Sequence, residues 1–397
     1  MKVKSLELKD FKKFKEVTIN DFDPYLNLFI GINGAGKSSI LDAISLLLSA
    51  FTSRLTTNNS KGVPIMEEYI RRGASSCSIT LSLDNNIYWT KSKSRKLEKS
   101  EESNFNLLNE FTKNYRERLD SKVCESVPII IHYGVKRSVT EIPLRFPKDD
   151  NTNPTVAYKD WRDSKASYRD IFPWLRGEED YENEQRIDNP SFRSRGLEAL
   201  RKALTNIFPG YTELKVRRKP RLEVILKKKE QELTLSQLSD GEKCYIALVC
   251  DIVRRLSLAN PKKEILSGDG IVLIDEIDLH LHPSWEETVM PKLHSTFPNL
   301  QFIVSAHSPL VASNIQGKIY AVNDGKVLTL PTIFGLDYSQ ILQDWMGVSS
   351  ENKEIASLIS LLQSYTKHNM EKQILAIRKK LEEMKVDLSV YGFTKDN

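Results

Sequence analysis

The sequence predicts an α/β fold built on a mixed sheet flanked by helices, and three stretches predict it. The first runs from Leu26 to Leu48. An apolar strand (Leu26 to Ile30) leads into the glycine-rich segment Gly31-Ile32-Asn33-Gly34-Ala35-Gly36-Lys37-Ser38, and Ser39 to Leu48 follows as a helix apolar on most faces. The second is the apolar run Ile271 to Ile274, which ends in Asp275-Glu276. The third, Phe302 to Val304, ends in Ser305-Ala306-His307. Short apolar runs separated by helical stretches are the pattern of buried parallel strands.

The other elements follow in chain order. Residues 2–8 alternate polar and apolar side chains, Phe11 to Phe14 turns, and Glu16 to Ile19 resumes the alternation, so two antiparallel strands precede the strand at Leu26. The helix from Lys37 is expected to end near Phe51, with Thr52 to Gly62 a mobile loop. Cys77 to Leu83 and Ile87 to Thr90 make a hairpin around Asp84-Asn85-Asn86, because asparagine tolerates positive φ. Residues 91–99 are basic, 101–119 are helix-like, and Val127 to Ile131 is a β-branched strand running into His132 to Arg137. Residues 138–190 read as part of an insertion (about 91–190), with some helix near Trp161 and Trp174 and little core. An amphipathic helix spans Arg193 to Phe208, strands cover Leu214 to Val216 and Leu222 to Leu226, and a helix runs from about Glu242 to Asn260. A single helix with a serine N-cap is expected from Ser284 to Phe297, and Ile319 to Val322 and Lys326 to Leu330 close the sheet. This places a head at 1–334 and a helical tail at 335–397, whose helices 353–366 and 369–385 form a hairpin suited either to a protein partner or to docking on the head.

At 397 residues with 40% hydrophobic content the chain can build a large core, and no apolar run approaches the roughly 18 residues of a membrane span. The start, MKVKSLELKD, lacks a signal-peptide core, and Cys77, Cys124, Cys244 and Cys250 form no C-x-x-C pair, so a reduced, cytoplasmic protein without membrane contact is expected. The net charge of +5 permits nucleic-acid binding without demonstrating it.

The segment Gly31–Ser38 fits G-x-x-x-x-G-K-[ST] in its strand–loop–helix context. A polyphosphate needs many N–H donors at close range; glycines let the backbone curl around it, and the helix N-terminus adds free N–H groups. Lys37 would reach the β- and γ-phosphates and Ser38 would ligate Mg²⁺. The strand ending at Asp275-Glu276 delivers both carboxylates to the same sheet edge, Asp275 for Mg²⁺ and Glu276 to polarise the attacking water. Leu238-Ser239-Asp240-Gly241-Glu242 precedes a helix, where Ser239 and Gly241 make either a second anion site or an ordinary cap. His307 can sense a γ-phosphate, and Asp278 follows in the turn after Glu276. His280 and His282 read as metal ligands or as turn residues, Tyr133 and Arg137 as nucleotide-proximal or structural. The basic stretches 91–99 and 215–229 read as a DNA-backbone surface or as solvated faces.

In this order the motifs resemble the ATP-binding-cassette (ABC) ATPases, in the soluble SMC, RecF and OLD-like branch, over residues 1–330. The resemblance makes Gly31–Ser38 the Walker A motif, Leu238–Glu242 the signature, Ile271–Asp275 the Walker B motif, Asp278 the D-loop and His307 the switch. It implies an ABC-ATPase head with an antiparallel β-subdomain, ATP and Mg²⁺ as ligands, and a head-to-tail dimer or higher oligomer sandwiching ATP. Asn33, Gly34, Ala35, Gly36, Lys37, Ser38, Ser39, Ser239, Gly241, Glu242 and Asp278 would contact nucleotide, Ser38 and Asp275 the metal, and Glu276 and His307 would be catalytic. The family's Q-loop glutamine has no clear counterpart; residues 132–137 occupy its expected place, and Lys12 and Lys13 are candidates for the adenine side.

About 200 residues without heptads separate Ser38 from Leu238, which rules out an SMC rod. An OLD nuclease would add a TOPRIM domain after the switch, so no nuclease activity is expected. The tail from Phe334, FGLDYSQILQDWMGV, is similar to ATPases that accompany an HNH endonuclease in Septu or retron-linked anti-phage systems. The resemblance implies an ATP-hydrolysing regulator of a separate nuclease; the alternative is a RecF-like, ATP-dependent DNA-repair clamp.

Overall fold

The computed structural model describes residues 1–57, 60–95, 102–123, 126–137, 153–163, 169–220, 223–229, 231–331, 334, 353–368, 370–384, 386, 388 and 393. The chain separates into two compact units, Met1–Leu336 and Asp337–Asn397. The stretch 336–350, which carries most of the tail resemblance, lies outside the described residues.

Three sheets build the first unit. Strands β1 (Val3–Phe11) and β2 (Phe14–Ile19) pair antiparallel, and β4 (Ser76–Leu83) and β5 (Tyr88–Ser94) extend them into a four-stranded sheet ordered β2-β1-β4-β5. The central sheet takes β3 (Leu26–Ile30), β6 (Ile129–Tyr133), β10 (Gly270–Ile274), β11 (Leu300–Ser305), β12 (Lys318–Asn323) and β13 (Lys326–Thr329), ordered β13-β12-β3-β11-β10-β6. All but β13 run parallel, and β3, β6, β10 and β11 are buried along their whole length, hence their largely apolar sequence, broken by the buried polar residues Asn27, His132, Gln301 and Ser305. The third sheet is β7 (Tyr211–Arg217), β8 (Glu223–Lys228) and β9 (Gln231–Thr234).

The helix Lys37–Thr56 is the spine of the unit, with fifteen of its twenty residues buried. It is long and apolar enough to cross a membrane by composition, but 78% of its apolar window is covered by the fold, as a core helix requires. Trp89 of β5, fully buried, donates its indole N–H to Leu47 O at 3.0 Å and seats the antiparallel sheet on this helix. Five residues expected as loop belong to the helix instead. Thr52 and Leu55 are 4% exposed, and Arg54 bonds Asn109 Oδ1 at 2.7 Å over the Phe105 ring.

Other differences have equally local causes. The expected helix 284–297 is two, Pro283–Glu286 and Val289–Thr296, because Pro291 has no N–H for the carbonyl of Glu287. Its cap is not Ser284 but His282, whose Nδ1 accepts from Ser284 N at 3.3 Å, with Pro283 at the first helical position. Parts of the segment 91–190 pack into the head: β6 pairs with β10 as the edge strand of the central sheet, and Tyr158, Trp161, Phe172 and Leu175 are buried. The helix Asn106–Asp120 starts later than expected, and Trp174 lies in a helix spanning Ile171–Asp188. Among the described basic side chains, Lys91 is buried, Lys215 and Arg217 pair with Glu232, and Arg218 pairs with Glu179 and Asp180. The Lys215, Arg217 and Arg218 charges are thus paired within the chain, and Lys91 is bonded to backbone carbonyls.

In the second unit, helices Lys353–Lys367 and Glu371–Glu383 fold back on each other around Leu358, Ile359, Leu362, Ile377 and Leu381, with Lys380 bonding Glu354 at 2.9 Å. They match the hairpin read from periodicity.

Candidate active site

Parallel strands β3, β10 and β11 deliver their C-terminal ends to one edge of the sheet, where open α/β folds bind ligands. The loop after β3 is shaped by glycine. Gly34 has φ +74° and Gly36 φ +118°. A Cβ on Gly31 would lie 2.2 Å from Val322 O, and one on Gly36 2.7 Å from the Phe14 ring. Asn33, Gly34 and Ser38 are exposed, Ser39 is half-buried, and Ala35 packs inward. The helix begins at Lys37 with no side-chain cap and no acidic residue in its first turn, so its N–H groups and partial positive charge remain open to an anion.

Lys37 is 5% exposed, and its ammonium donates to Gly31 O at 2.7 Å and Ile32 O at 3.1 Å. Burial pushes it below its ordinary range, and the charges of Asp275, Glu276 and Asp278 oppose that. Its Nζ is 3.4 Å from His307 Nδ1, and His307 Nε2 is 3.5 Å from Glu276 Oε1. An ammonium only donates, so Nδ1 must accept and the ring proton sits on Nε2, facing the carboxylate.

The acidic turn is held by residues on two neighbouring strands. Ser305 Oγ donates to Asp275 Oδ1 at 2.5 Å and accepts from Glu276 N at 2.8 Å. Arg137, just past β6, donates to Asp275 O at 2.8 Å and Glu276 O at 2.7 Å. Asp278 Oδ2 accepts from His307 N at 2.9 Å, while its buried Oδ1 is without a partner. The structure therefore brings together Lys37, Asp275, Glu276, Asp278 and His307. Among the described residues no group of three or more His, Cys, Asp or Glu could hold a metal, so neither His280 nor His282 belongs to a metal cluster. A Mg²⁺ site needs less. One carboxylate and one hydroxyl suffice beside phosphate oxygens and waters, and Asp275 and exposed Ser38 supply that donor set.

Arg137 is the residue the sequence undervalued. Tyr133, ranked with it, is fully buried and donates its hydroxyl to Asp251 Oδ2 at 2.9 Å, away from the acidic turn. His132 is likewise buried, and burial, opposed by Asp42, pushes its imidazole down to about 4. Ser305 was visible only as a strand end. Lys13 donates to Gly34 O at 2.5 Å, whereas Lys12 is paired with Asp42 at 2.6 Å.

Ser239 caps the helix Asp240–Ala259: its Oγ accepts from Glu242 N at 3.3 Å, and Glu242 Oε2 accepts from Ser239 N at 2.9 Å. Glu242 also takes the Tyr211 hydroxyl and Lys228 Nζ, the latter at 2.9 Å. Burial raises the Glu242 carboxyl, but the bonds from Tyr211, Lys228 and Ser239 outweigh it and hold it near 2. Gly241 is required by closeness, since a Cβ there would lie 1.9 Å from His280 O. Ser239 stays exposed at the surface, shaped by Glu242 from behind.

A family profile described as "AAA domain, putative AbiEii toxin, Type IV TA system" matches residues 26–313. The "Retron Ec83 probable ATPase" of Escherichia coli is 30% identical over 92% of this chain and 79% of its own length. The chain belongs to this AAA-domain ATPase family. The Septu protein PtuA of Bacillus mycoides (strain KBAB4) is 28% identical over 83% of this chain and 40% of its own. A crystal structure of an SMC head bound to the C-terminal winged-helix domain of ScpA superposes with a TM-score of 0.52 at 18% identity, covering 83% of this chain and 98% of that one. The SMC-head fold is thus shared by this ATPase.

The Glu242 cap carries a pH signature. A carboxyl held near 2 in the fold and near 4.5 outside it stabilises the fold above pH 4.5, and the contribution is lost as pH falls from there toward 2. Glu242→Ala should cost about 1 kcal/mol at neutral pH, with the gap to the parent chain closing toward pH 2; denaturant midpoints of both across pH check this.

Proposed function

We propose that the chain binds and hydrolyses ATP as the regulatory ATPase of a bacterial anti-phage system, assembling with a second copy around the nucleotide and controlling a separate nuclease, of the HNH type. The observation that carries the ATPase part is the run from Lys37 through His307 to Glu276 at 3.4 and 3.5 Å, set beside a glycine loop that accepts an anion. The defence role rests on the family's retron and Septu members and on the resemblance of the tail.

In this reading the loop N–H groups and Lys37 hold the phosphates, with Asn33 and Ser39 at its rim. Mg²⁺, held by Ser38 and Asp275 when bound, neutralises phosphate charge. Glu276 orients the attacking water and accepts its proton as the water oxygen bonds the γ-phosphorus; the bond to the β–γ bridging oxygen breaks and ADP leaves with that electron pair. His307 holds the Glu276 carboxylate through Nε2–H. Asp278 fixes the His307 backbone, and Arg137 is the positioning residue for the acidic turn. Ser239 and Gly241 present a second helix N-terminus to the nucleotide of the other copy.

Glu276→Gln should keep ATP binding and slow hydrolysis by about 10² to 10⁴, while Lys37→Ala should weaken binding itself. Arg137→Ala should lower kcat about a hundredfold with KM for ATP little changed, and Arg137→Lys should recover part of it. Steady-state kinetics decide, and equal kcat in the parent and Glu276→Gln removes the assignment. For the defence role, tagged Glu276→Gln recovered from its host with Mg·ATP should carry a stoichiometric nuclease. DNA without a protein partner would replace that reading with the ATP-dependent clamp.

A further inference from the structure

Past its third turn the helix Lys37–Thr56 borders a cavity of about 630 Å³ that is broadly open to solvent, to which Ser49, Thr52, Ser53 and Thr56 contribute at helical spacing. Lys159 and Arg162 line it as well, with the Trp161 ring. At 1.5 Å per residue Ser49 stands about 18 Å along the helix from Lys37, so this space is separate from the phosphate loop.

Two features decide what fits. Each of these helix hydroxyls donates its proton to a carbonyl of its own helix: Ser49 to Leu46 O at 2.6 Å, Ser53 to Ser49 O at 2.7 Å, Thr56 to Ser53 O at 3.1 Å. Ser49 Oγ also accepts from Val63 N at 2.9 Å, so the lone pairs offered to N–H or O–H donors in the cavity are chiefly those of Thr52, Ser53 and Thr56.

The second feature is positive charge without a counter-charge. Arg54 and Lys91 are 3% and 4% exposed, and with Arg162 they form one cluster. Their hydrogen-bond partners are neutral: Asn109 Oδ1 and Ala50 O for Arg54, Leu46 O and Val63 O for Lys91, Ser45 Oγ for Arg162. Among the described residues none of the three forms an ion pair, and Asp42, whose charge reaches Arg162, is itself bonded to Lys12. Burial and the charges of Arg162 and Arg54 push the Lys91 ammonium down to about 7. Buried cations are costly unless paired. Of the three, Arg162 lines the cavity and Arg54 and Lys91 lie behind it, so an anion there would meet Arg162 directly and the other two charges only through space.

We propose that this cavity binds a nucleoside phosphate, distinct from the ATP of the phosphate loop. Its phosphate lies against Arg162, with Lys159, itself 3.6 Å from Asp170, at the side; its sugar and base donors meet the Thr52, Ser53 and Thr56 hydroxyls, and the volume is that of a small-ligand site. Inorganic phosphate alone would leave the hydroxyl row unused. The same chemistry is carried by a free mononucleotide and by the 5′-phosphorylated end of a strand.

The test uses the full chain with its phosphate loop saturated by a non-hydrolysable ATP analogue and Mg²⁺, titrated calorimetrically with AMP and, separately, with a 5′-phosphorylated thymidine tetranucleotide. One ligand should bind per chain, at least tenfold more weakly in Arg162→Gln. Ser53→Leu, which fills the cavity and keeps the charge, should weaken binding equally, and both variants should hold the ATP analogue as the parent does. Tighter AMP assigns a free nucleotide and tighter tetranucleotide a strand end. Binding of neither, or equal binding in the parent and both variants, overturns the proposal.

Discussion

Glu276 sits in the left-handed region, φ +50°, and the geometry of the candidate active site depends on its being kept there. A side chain in that conformation costs about 1–2 kcal/mol relative to an ordinary backbone. The surroundings hold it at both sides. Glu276 N is tied to Ser305 Oγ, Ile277 N donates to Ser305 O at 2.9 Å, and the Glu276 carbonyl accepts from Leu279 N and from Arg137. The turn re-aims Glu276 away from the line of β10 and toward His307. Sheet register makes this possible: Ile274 is opposite Val304, so Ser305 stands beside Asp275, and a slip of one residue would put Ala306 there with no hydroxyl to offer.

The same constraint joins the acidic turn to the helix that starts at Ser239. Cys244 Sγ donates to Arg137 O at 3.0 Å, so Arg137 bonds the acidic turn with its side chain and the helix with its backbone. Two residue pairs reinforce this. Tyr133 reaches Asp251, which is fully buried and compensated by Arg254 at 2.7 Å and Arg255 at 2.9 Å, and Gly241 packs on the His280 carbonyl. Removing Asp251 would leave the buried Arg255 guanidinium without its carboxylate and Arg254 with only Asp170 at 4.0 Å, an arrangement far costlier than a broken surface pair. The surface Ser239 presents and the orientation of Glu276 are thus properties of one packed body.

Much of this was legible in the chain. Gly31, Gly34 and Gly36 announce a loop that needs positive φ and close approach, and the apolar strand before Asp275 announces a buried parallel strand. Local periodicity could not see partners distant in sequence. Arg137 reads as one more basic residue after a strand, and its role appears only when β6 pairs with β10 and carries it to the Asp275 and Glu276 carbonyls. Ser305 is invisible for the same reason. Where periodicity misjudged an element, an identifiable local group won: Pro291 split one helix, and burial of Thr52 and Leu55 lengthened another. The Lys91 charge, which reads in the sequence as part of a DNA-backbone surface or of a solvated face, is buried behind Val63 and Leu46 because Trp89 and Lys91 take the inward positions of β5.

The central claim is that ATP joins two copies through the exposed Ser239 of one and the phosphate loop of the other. Sedimentation equilibrium of Glu276→Gln with Mg·ATP addresses it most directly. The account predicts a mass of at least twice the 45.5 kDa chain with ATP, and 45.5 kDa when Ser239→Arg is added to the same chain with nucleotide still bound. An ATP-dependent assembly that survives Ser239→Arg, or a mass indifferent to ATP, would contradict it.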